Sequence, residues 1–357
     1  PDILQESIIA FIPKPGKKDY TQCKSWRPIT LLNFLFKGLE KVILRYLQEI
    51  YGEQIQFSAQ HAYTCGKSTE TAMAEVVNYI EQTALRNKHC YGTFLDISGA
   101  YNNAPYKHIT NSLKERKLCK DFITFTDNFL HNRQTTIKIG KARDTRTLIM
   151  GVSQGSILSC LLWNSYINPL LTSTNQIGIG KGGNKVLAYA DDIACLNSGT
   201  FENQVHRNHQ RNVNKVSEWI RGHGLKVEPS KCDVIYFTMA NKNPDKKISI
   251  DSEIQEYSKS TRYLGLTLSK RLDMIPHIQN KIKACSNKLW MFKMALGKTW
   301  GPKPNLMRFL YTQIIRPGLT YACFSWAHTA NITTMERYKK LDSMALRSFA
   351  TTHKSTP

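Results

Sequence analysis

Residues 185–196, KVLAYADDIACL, constrain this chain more than any other stretch, because they set two adjacent aspartates, Asp191 and Asp192, between two short apolar runs. Such runs broken by a polar turn read as the two strands of a hairpin. A carboxylate beside an apolar core is costly unless something binds it. An Asp pair also suits a β-turn for conformational reasons alone, so the pair carries chemistry only if a partner exists elsewhere.

A partner is available in residues 91–97, YGTFLDI, a short stretch of β-forming residues that carries Asp96 near its end. Alone, Asp96 can be read as a helix cap. With Asp191 and Asp192 it makes three carboxylates that neighbouring strands can bring to one edge. Magnesium prefers oxygen ligands. Nucleotidyl transfer uses two divalent ions about 3.5–4 Å apart, one activating a 3′ hydroxyl and one holding a triphosphate. Asp96, Asp191 and Asp192 are therefore the expected ligands of two Mg2+ or Mn2+ ions.

The rest of the chain alternates helical and strand patterns. Leu35, Leu39, Val42, Ile43, Tyr46, Leu47 and Ile50 recur at helical spacing, and a second helix is expected from near Ser68, burying Ala72, Val76 and Ile80. Val205, His209, Val213, Val216 and Trp219 mark another helix, and residues 233–238, DVIYFT, a strand. A helix over 276–296 would put Ile278, Ile282, Cys285, Leu289 and Phe292 on one face, ended by Gly297, Pro302 and Pro304. The pattern is α+β. Strands stop near residue 270, which divides the chain into 1–270 and a Lys-rich helical part, 271–357.

Charge narrows the partner. There are 49 basic against 27 acidic residues, a net +22, which favours a polyanion and is unusual for a small-molecule enzyme. Nine cysteines, with no C-x-x-C pair, give neither zinc-finger spacing nor a disulfide framework; reduced, mostly buried thiols in an intracellular protein are the simple account. No apolar run approaches the ~18 residues of a membrane span. The segment CGKST (65–69) imitates a phosphate-binding loop, but His61 stands where its first glycine is required, so triphosphatase chemistry is rejected. The chain opens on Pro1 and closes on THKSTP, and it reads as an excerpt of a longer polyprotein.

The acidic motifs sit in longer blocks. YADD, FLDISGAYNN and GVSQGSILSCLLWNSYINPL resemble three signature blocks of reverse transcriptases, in the family's order. Residues 12–33 (IPKPGKKDY to SWRPITLLN) resemble its fingers blocks. Residues 60–72, QHAYTCGKSTETA, resemble the segment that LINE-type members carry before the first aspartate. GLKVEPSKCDVIYF (224–237) and TRYLGLTL (261–268) resemble the two blocks after the aspartate pair. Residues 295–326 are similar to the thumb and connector of non-LTR, Jockey-like elements. The resemblance implies a right-hand polymerase, with fingers, a palm built on an antiparallel sheet, and a helical thumb.

It also implies roles. Gln154 and Gly155 would line the nucleotide pocket, with a helix starting near Ser156 offering its amides; an ordinary loop-to-helix turn is the other reading. Arg27 and Lys14 are the triphosphate candidates, Arg27 as a fixed fork and Lys14 as a mobile charge, whereas Lys17 and Lys18 read as solvated. Lys231 would stand near the pyrophosphate leaving group. Tyr263, Leu264 and Gly265 would grip the primer end, although a turn glycine has an equally good structural reading. Lys281 and Lys288, seven apart with Trp290 nearby and Lys283, Lys293 and Lys298 adding charge, would hold a duplex backbone, unless they form a solvated face.

Tyr101, five residues after Asp96, would fill the space of a ribose 2′ hydroxyl and favour deoxynucleotides, besides packing under its strand. The expected reaction is RNA-directed DNA synthesis by target-primed copying, on an RNA template with a DNA primer and dNTPs. An endonuclease domain is expected elsewhere in the polyprotein, no membrane is involved, and the site of action is nuclear at integration. The alternatives are an RNA-dependent RNA polymerase and a decayed copy that only binds nucleic acid. Gly99, Asn102 and Ser153 depart from the family pattern, where Lys, Asp and Pro are usual, and leave room for a weakened copy.

Overall fold

The structure, a computed structural model, describes residues 6–131, 133–175, 183–240, 244–294, 303–328 and 330–350. Strands β1 (Ser7–Pro13) and β2 (Trp26–Leu32) lead into helices α1 (Phe34–Ile50) and α2 (Thr69–Leu85). Strand β3 (His89–Asp96) is followed by α3 (Ala100–Asn103), α4 (Tyr106–Glu115) and α5 (Lys120–His131). A hairpin, β4 (Gln134–Ile139) and β5 (Ala142–Thr147), precedes α6 (Leu158–Asn175). A second hairpin, β6 (Gly183–Tyr189) and β7 (Asp192–Gly199), precedes α7 (Glu202–Gly222) and β8 (Asp233–Phe237). Two short pairs follow, β9 (Ile248–Ile250) with β10 (Glu253–Gln255) and β11 (Ser260–Tyr263) with β12 (Leu266–Ser269). Beyond them lie α8 (Ile275–Met294), α9 (Pro304–Leu310), α10 (Arg316–Thr320), α11 (Cys323–Trp326) and α12 (Ile332–Ala350).

The central sheet has the order β6-β7-β3-β8, with every neighbouring pair antiparallel. Its strands are apolar on both faces because both faces are covered. Side chains alternate across a strand, so Val186, Ala188, Ile193, Cys195 and Val234 join one core with α4, α6 and α7, while Leu187, Ala194, Leu196, Ile235 and Phe237 join a second with α2 and the β11–β12 hairpin. Met274 and Ile278 of the helical part share that second core. A separate sheet, β2-β1-β4-β5, carries the basic N-terminal segment.

Helix α2 starts where its sequence says it should. The Ser68 hydroxyl accepts from the Thr71 amide and the Thr71 hydroxyl from the Ser68 amide, a capping box. Helix α1 forms as expected but turns Phe36, Glu40 and Leu47 inward, leaving Leu35, Leu39, Val42, Tyr46 and Ile50 exposed. Of the expected stop signals after α8, Gly297 and Pro302 lie outside the described residues, while Pro304 instead opens α9, a position that wants no amide hydrogen. All nine cysteines are free, but only Cys90, Cys195, Cys232 and Cys285 are buried, fewer than expected. Among the described residues no helix is long and apolar enough to cross a membrane.

Candidate active site

The hairpin β6–β7 and its neighbour β3 bring the three aspartates to one end of the sheet's strands. Asp96 and Asp192 are direct partners across β3 and β7, and Asp192 also pairs with Tyr189 across the hairpin. Ala190 and Asp191 form the tight turn, with Ala190 in the left-handed region at φ +56. That strained turn is held from beneath. The buried Gln60 amide accepts from Ala190 N at 2.9 Å and donates to Ala190 O at 3.2 Å, and Trp163 Nε1 donates to the same carbonyl at 3.0 Å. Gln60 and Trp163 lie in blocks quoted above, yet nothing in the sequence marks either as a brace for the acidic turn.

Two of the carboxylates, Asp191 and Asp192, are shifted by their surroundings. Burial and then the Asp96 charge raise the Asp191 carboxyl above its ordinary range, while Arg27 pulls the other way. Asp192 is pushed up to about 6, first by burial and then by Asp191 and Asp96. By surface accessibility Asp192 is exposed, and Asp96 and Asp191 are half-buried. Lys231 Nζ donates to Asp96 Oδ2 at 2.9 Å, and this contact raises the Lys231 ammonium above its usual value.

Among the described residues no group of three or more His, Cys, Asp or Glu side chains is arranged to hold a metal ion. One oxygen of Asp96 is taken by Lys231. The donor chemistry still fits a hard divalent cation, because the three groups supply only oxygens and their mutual repulsion is what such a cation relieves.

Of the expected nucleotide residues, Tyr101 and Arg27 lie within electrostatic reach of Asp191, and the others meet partners of their own. Tyr101 stacks on Trp163 at 5.0 Å between centroids, and its hydroxyl is buried beside the Tyr63 side chain. Gln154 Nε2 donates to Asn102 Oδ1 at 3.1 Å, and its carbonyl accepts from Thr30 N at 2.7 Å. Gly155 has φ +135, and a Cβ there would lie 2.4 Å from Thr30 O, so the glycine admits the chain's own β2 rather than a ligand. Helix α6 begins at Leu158, and its free end is already taken. The buried Glu40 carboxylate accepts from Ser156 Oγ and, at 3.1 Å, from Ile157 N. The expectation that these amides serve a nucleotide is corrected at Ile157, whose amide is held by a carboxylate from α1. Desolvation raises Glu40 above its usual range. Lys14 Nζ donates to Lys24 O at 3.0 Å, within its own segment.

The hairpin β11–β12 turns on two residues, Leu264 at φ +47 and Gly265 at φ +82, the double left-handed turn that suits a tight hairpin. Tyr263 is buried against Phe94 at 5.3 Å. The Tyr321 hydroxyl donates to Leu264 O at 2.5 Å, and Lys281 Nζ sits 4.0 Å from the centre of the Tyr321 ring. Lys281 is thus packed against the hairpin's support, whereas Lys283, Lys288, Lys293 and Trp290 are exposed. Lys298 lies outside the described residues. The departures fit their surroundings: Gly99 adopts φ +58, Asn102 holds Gln154, and Ser153 Oγ accepts from the buried Arg133. Lys67 of the false phosphate loop donates to the carbonyls of Phe57 and Ser58.

A double-sided antiparallel sheet with carboxylates on the hairpin tip and on the adjacent strand, flanked by a second sheet and a helical part, defines a right-hand polymerase. The chain belongs to the reverse transcriptase family: the profile described as Reverse transcriptase (RNA-dependent DNA polymerase) matches residues 12–268. It is 26% identical over 346 residues to the probable RNA-directed DNA polymerase from transposon BS of Drosophila melanogaster, covering 96% of this chain and 38% of that protein. It is 25% identical over 334 residues to the RNA-directed DNA polymerase from mobile element jockey of the same species, covering 90% and 35%. The chain therefore spans little more than a third of these relatives. Apo telomerase from Candida tropicalis shares the fold, with a TM-score of 0.53 at 11% identity over 99% of this chain and 60% of that one. Reverse transcriptase domains in general depend on divalent metal.

Proposed function

We propose that this chain is the polymerase region of a non-LTR retrotransposon protein and adds deoxynucleotides to a DNA 3′ end on an RNA template, by target-primed copying. The observation that carries the reading is the pairing of Asp96 with Asp192 across β3 and β7, with Asp191 at the adjoining turn; beyond burial, the Asp96 charge raises Asp191, and both raise Asp192. Asp96, Asp191 and Asp192 would hold two Mg2+ or Mn2+ ions, which supply charge neutralisation at the attacking and leaving oxygens. Asp96 would turn from Lys231 to do so, freeing the ammonium for the pyrophosphate oxygen.

Arg27, whose charge reaches Asp191, supports a role at the triphosphate; Lys14 is the second candidate. Gln154 and Gly155 form the loop that meets β2 beside the site, and Tyr101 would exclude a 2′ hydroxyl. The hairpin turn Tyr263, Leu264 and Gly265 would hold the primer through its tip, with the buried Tyr263 ring as its anchor and Tyr321 as its brace. The division near residue 270 would separate fingers and palm from thumb, with Lys288 facing the duplex and Lys281 supporting the primer hairpin. An endonuclease domain in the same polyprotein and action in the nucleus at integration complete the reading. Primer extension on an RNA template, comparing dNTPs with NTPs under Mg2+ and Mn2+, tests it: extension with dNTPs is expected, and binding without extension under either metal would instead support a decayed copy.

A further inference from the structure

Tyr63 is an exposed aromatic held in an unfavourable backbone conformation beside the aspartates. It lies at φ +55, with 63% of its surface accessible. A bulky residue pays for the left-handed region and keeps it only where the surroundings impose it. Here they do. Gln60 bridges to Ala188 at the outer side of β6, and His61 N donates to Ala188 O at 2.8 Å. Ala62 N donates to Gln60 Oε1 at 3.0 Å, and Ala62 O accepts from the buried Asn164 at 2.8 Å. The two residues before Tyr63 are therefore fixed, and the ring is delivered to the surface. Burial and then the neighbouring Cys160, Tyr189 and Asp191 raise its hydroxyl above the ordinary value, while Tyr101 pulls the other way, so the hydroxyl end faces the aspartate side.

The side on which Tyr63 stands decides what it can touch. The order across the sheet is the Gln60 segment, β6, β7, β3, β8. The β11–β12 hairpin lies on the far side, with β11 against β8 and Tyr263 against Phe94 of β3. A duplex end seated on the aspartates, with its primer strand on that hairpin, brings its other strand over β6. We propose that Tyr63 is a binding residue for the template strand, its ring packing against the template nucleotide at the growing end. An aromatic face tolerates every base, which a copying enzyme requires. The proposal rests on the polymerase reading and on the assignment of the primer to Tyr263–Gly265.

The test places the photo-crosslinking residue p-benzoylphenylalanine at position 63 of the full chain, with primer and template strands separately labelled, and needs neither metal nor chemistry. Crosslinking to the template strand is expected; crosslinking to the primer alone, or to neither, overturns the proposal. In parallel, Tyr63→Ala should weaken primer–template binding by about tenfold or more, the scale of one lost aromatic–base contact, and Tyr63→Phe should recover most of it. Tyr63→Gly accepts φ +55 without strain, so it should lose affinity as Tyr63→Ala does while unfolding no earlier than wild type, which separates a lost contact from a lost fold. Wild-type affinity in both the Ala and Gly variants would overturn the contact while leaving the polymerase reading intact. Template crosslinking in a wild-type background that never extends a primer would do the reverse.

Discussion

Lys231 Nζ lies 2.9 Å from Asp96 Oδ2, so the chain itself supplies a cation to the carboxylate that pairs with Asp192. The contact compensates part of the repulsion among three clustered acids. Lys231→Ala removes that compensation. The metal-free protein should unfold at a lower temperature, and the rise in unfolding temperature on adding Mn2+ should exceed that of wild type. If Lys231 also serves the leaving group, extension under saturating metal should fall about a hundredfold. Thermal melts with and without Mn2+, beside single-turnover extension, read both effects.

Asp192 sets the pH dependence. Its carboxyl is raised to about 6, and metal binding requires the ionised form. Extension at limiting Mg2+ should therefore fall as pH drops through about 6, and excess metal should move the midpoint lower. Without metal the sign for stability is opposite. Between the unfolded value of about 4 and about 6, the folded state binds a proton that the unfolded chain does not, so this group makes stability decline as pH rises through that window and level off above it. Asp192→Asn should remove that slope, raise the metal-free unfolding temperature at pH 7 and abolish extension. Comparing the two proteins in melts from pH 4.5 to 8 isolates this group from the other titrating residues.

Gln60 holds Ala190 by both its amide and its carbonyl, away from solvent. Gln60→Ala leaves the Ala190 amide without its partner, while Trp163 still serves the carbonyl. A cost of about 1–3 kcal/mol is expected for the orphaned buried group, with extension slowed through kcat more than through the dNTP KM because the aspartate turn is loosened. Urea unfolding and steady-state extension check the two parts.

Tyr101 is packed on Trp163 with its hydroxyl buried. Tyr101→Ala opens space beside the aspartates, and the preference for dNTPs over NTPs should shrink by about tenfold or more. Competitive incorporation with matched nucleotide pairs measures it, and Tyr101→Phe should retain the preference, since bulk rather than the hydroxyl is the proposed discriminator.

Local signals made the strands of the acidic site legible in the sequence, whereas β4, β5, β9 and β10 carry no comparable run. The hairpin carrying Asp191 and Asp192, the strand ending at Asp96 and the capped start of α2 are all written in short runs whose periodicity and turn chemistry suffice. Gln60, Glu40 and Trp163 were not legible as supports because each acts on backbone far away in sequence, Glu40 on Ile157 and the other two on Ala190. A buried polar residue reveals its partner only once packing is known. The same limit explains the helix at Ser156. The Ile157 amide is held by a carboxylate that α1 brings from far away in sequence, and the space beside Gly155 is filled by Thr30, neither of which a local run reveals.

The most direct measurement is primer extension on an RNA template with dNTPs and Mg2+, run beside primer–template binding for wild type and Asp191→Asn. Wild type should add template-directed deoxynucleotides, and Asp191→Asn should lose about a thousandfold or more in rate while binding primer–template within a few-fold of wild type. Undiminished extension by Asp191→Asn would contradict the assignment of these aspartates to the chemistry.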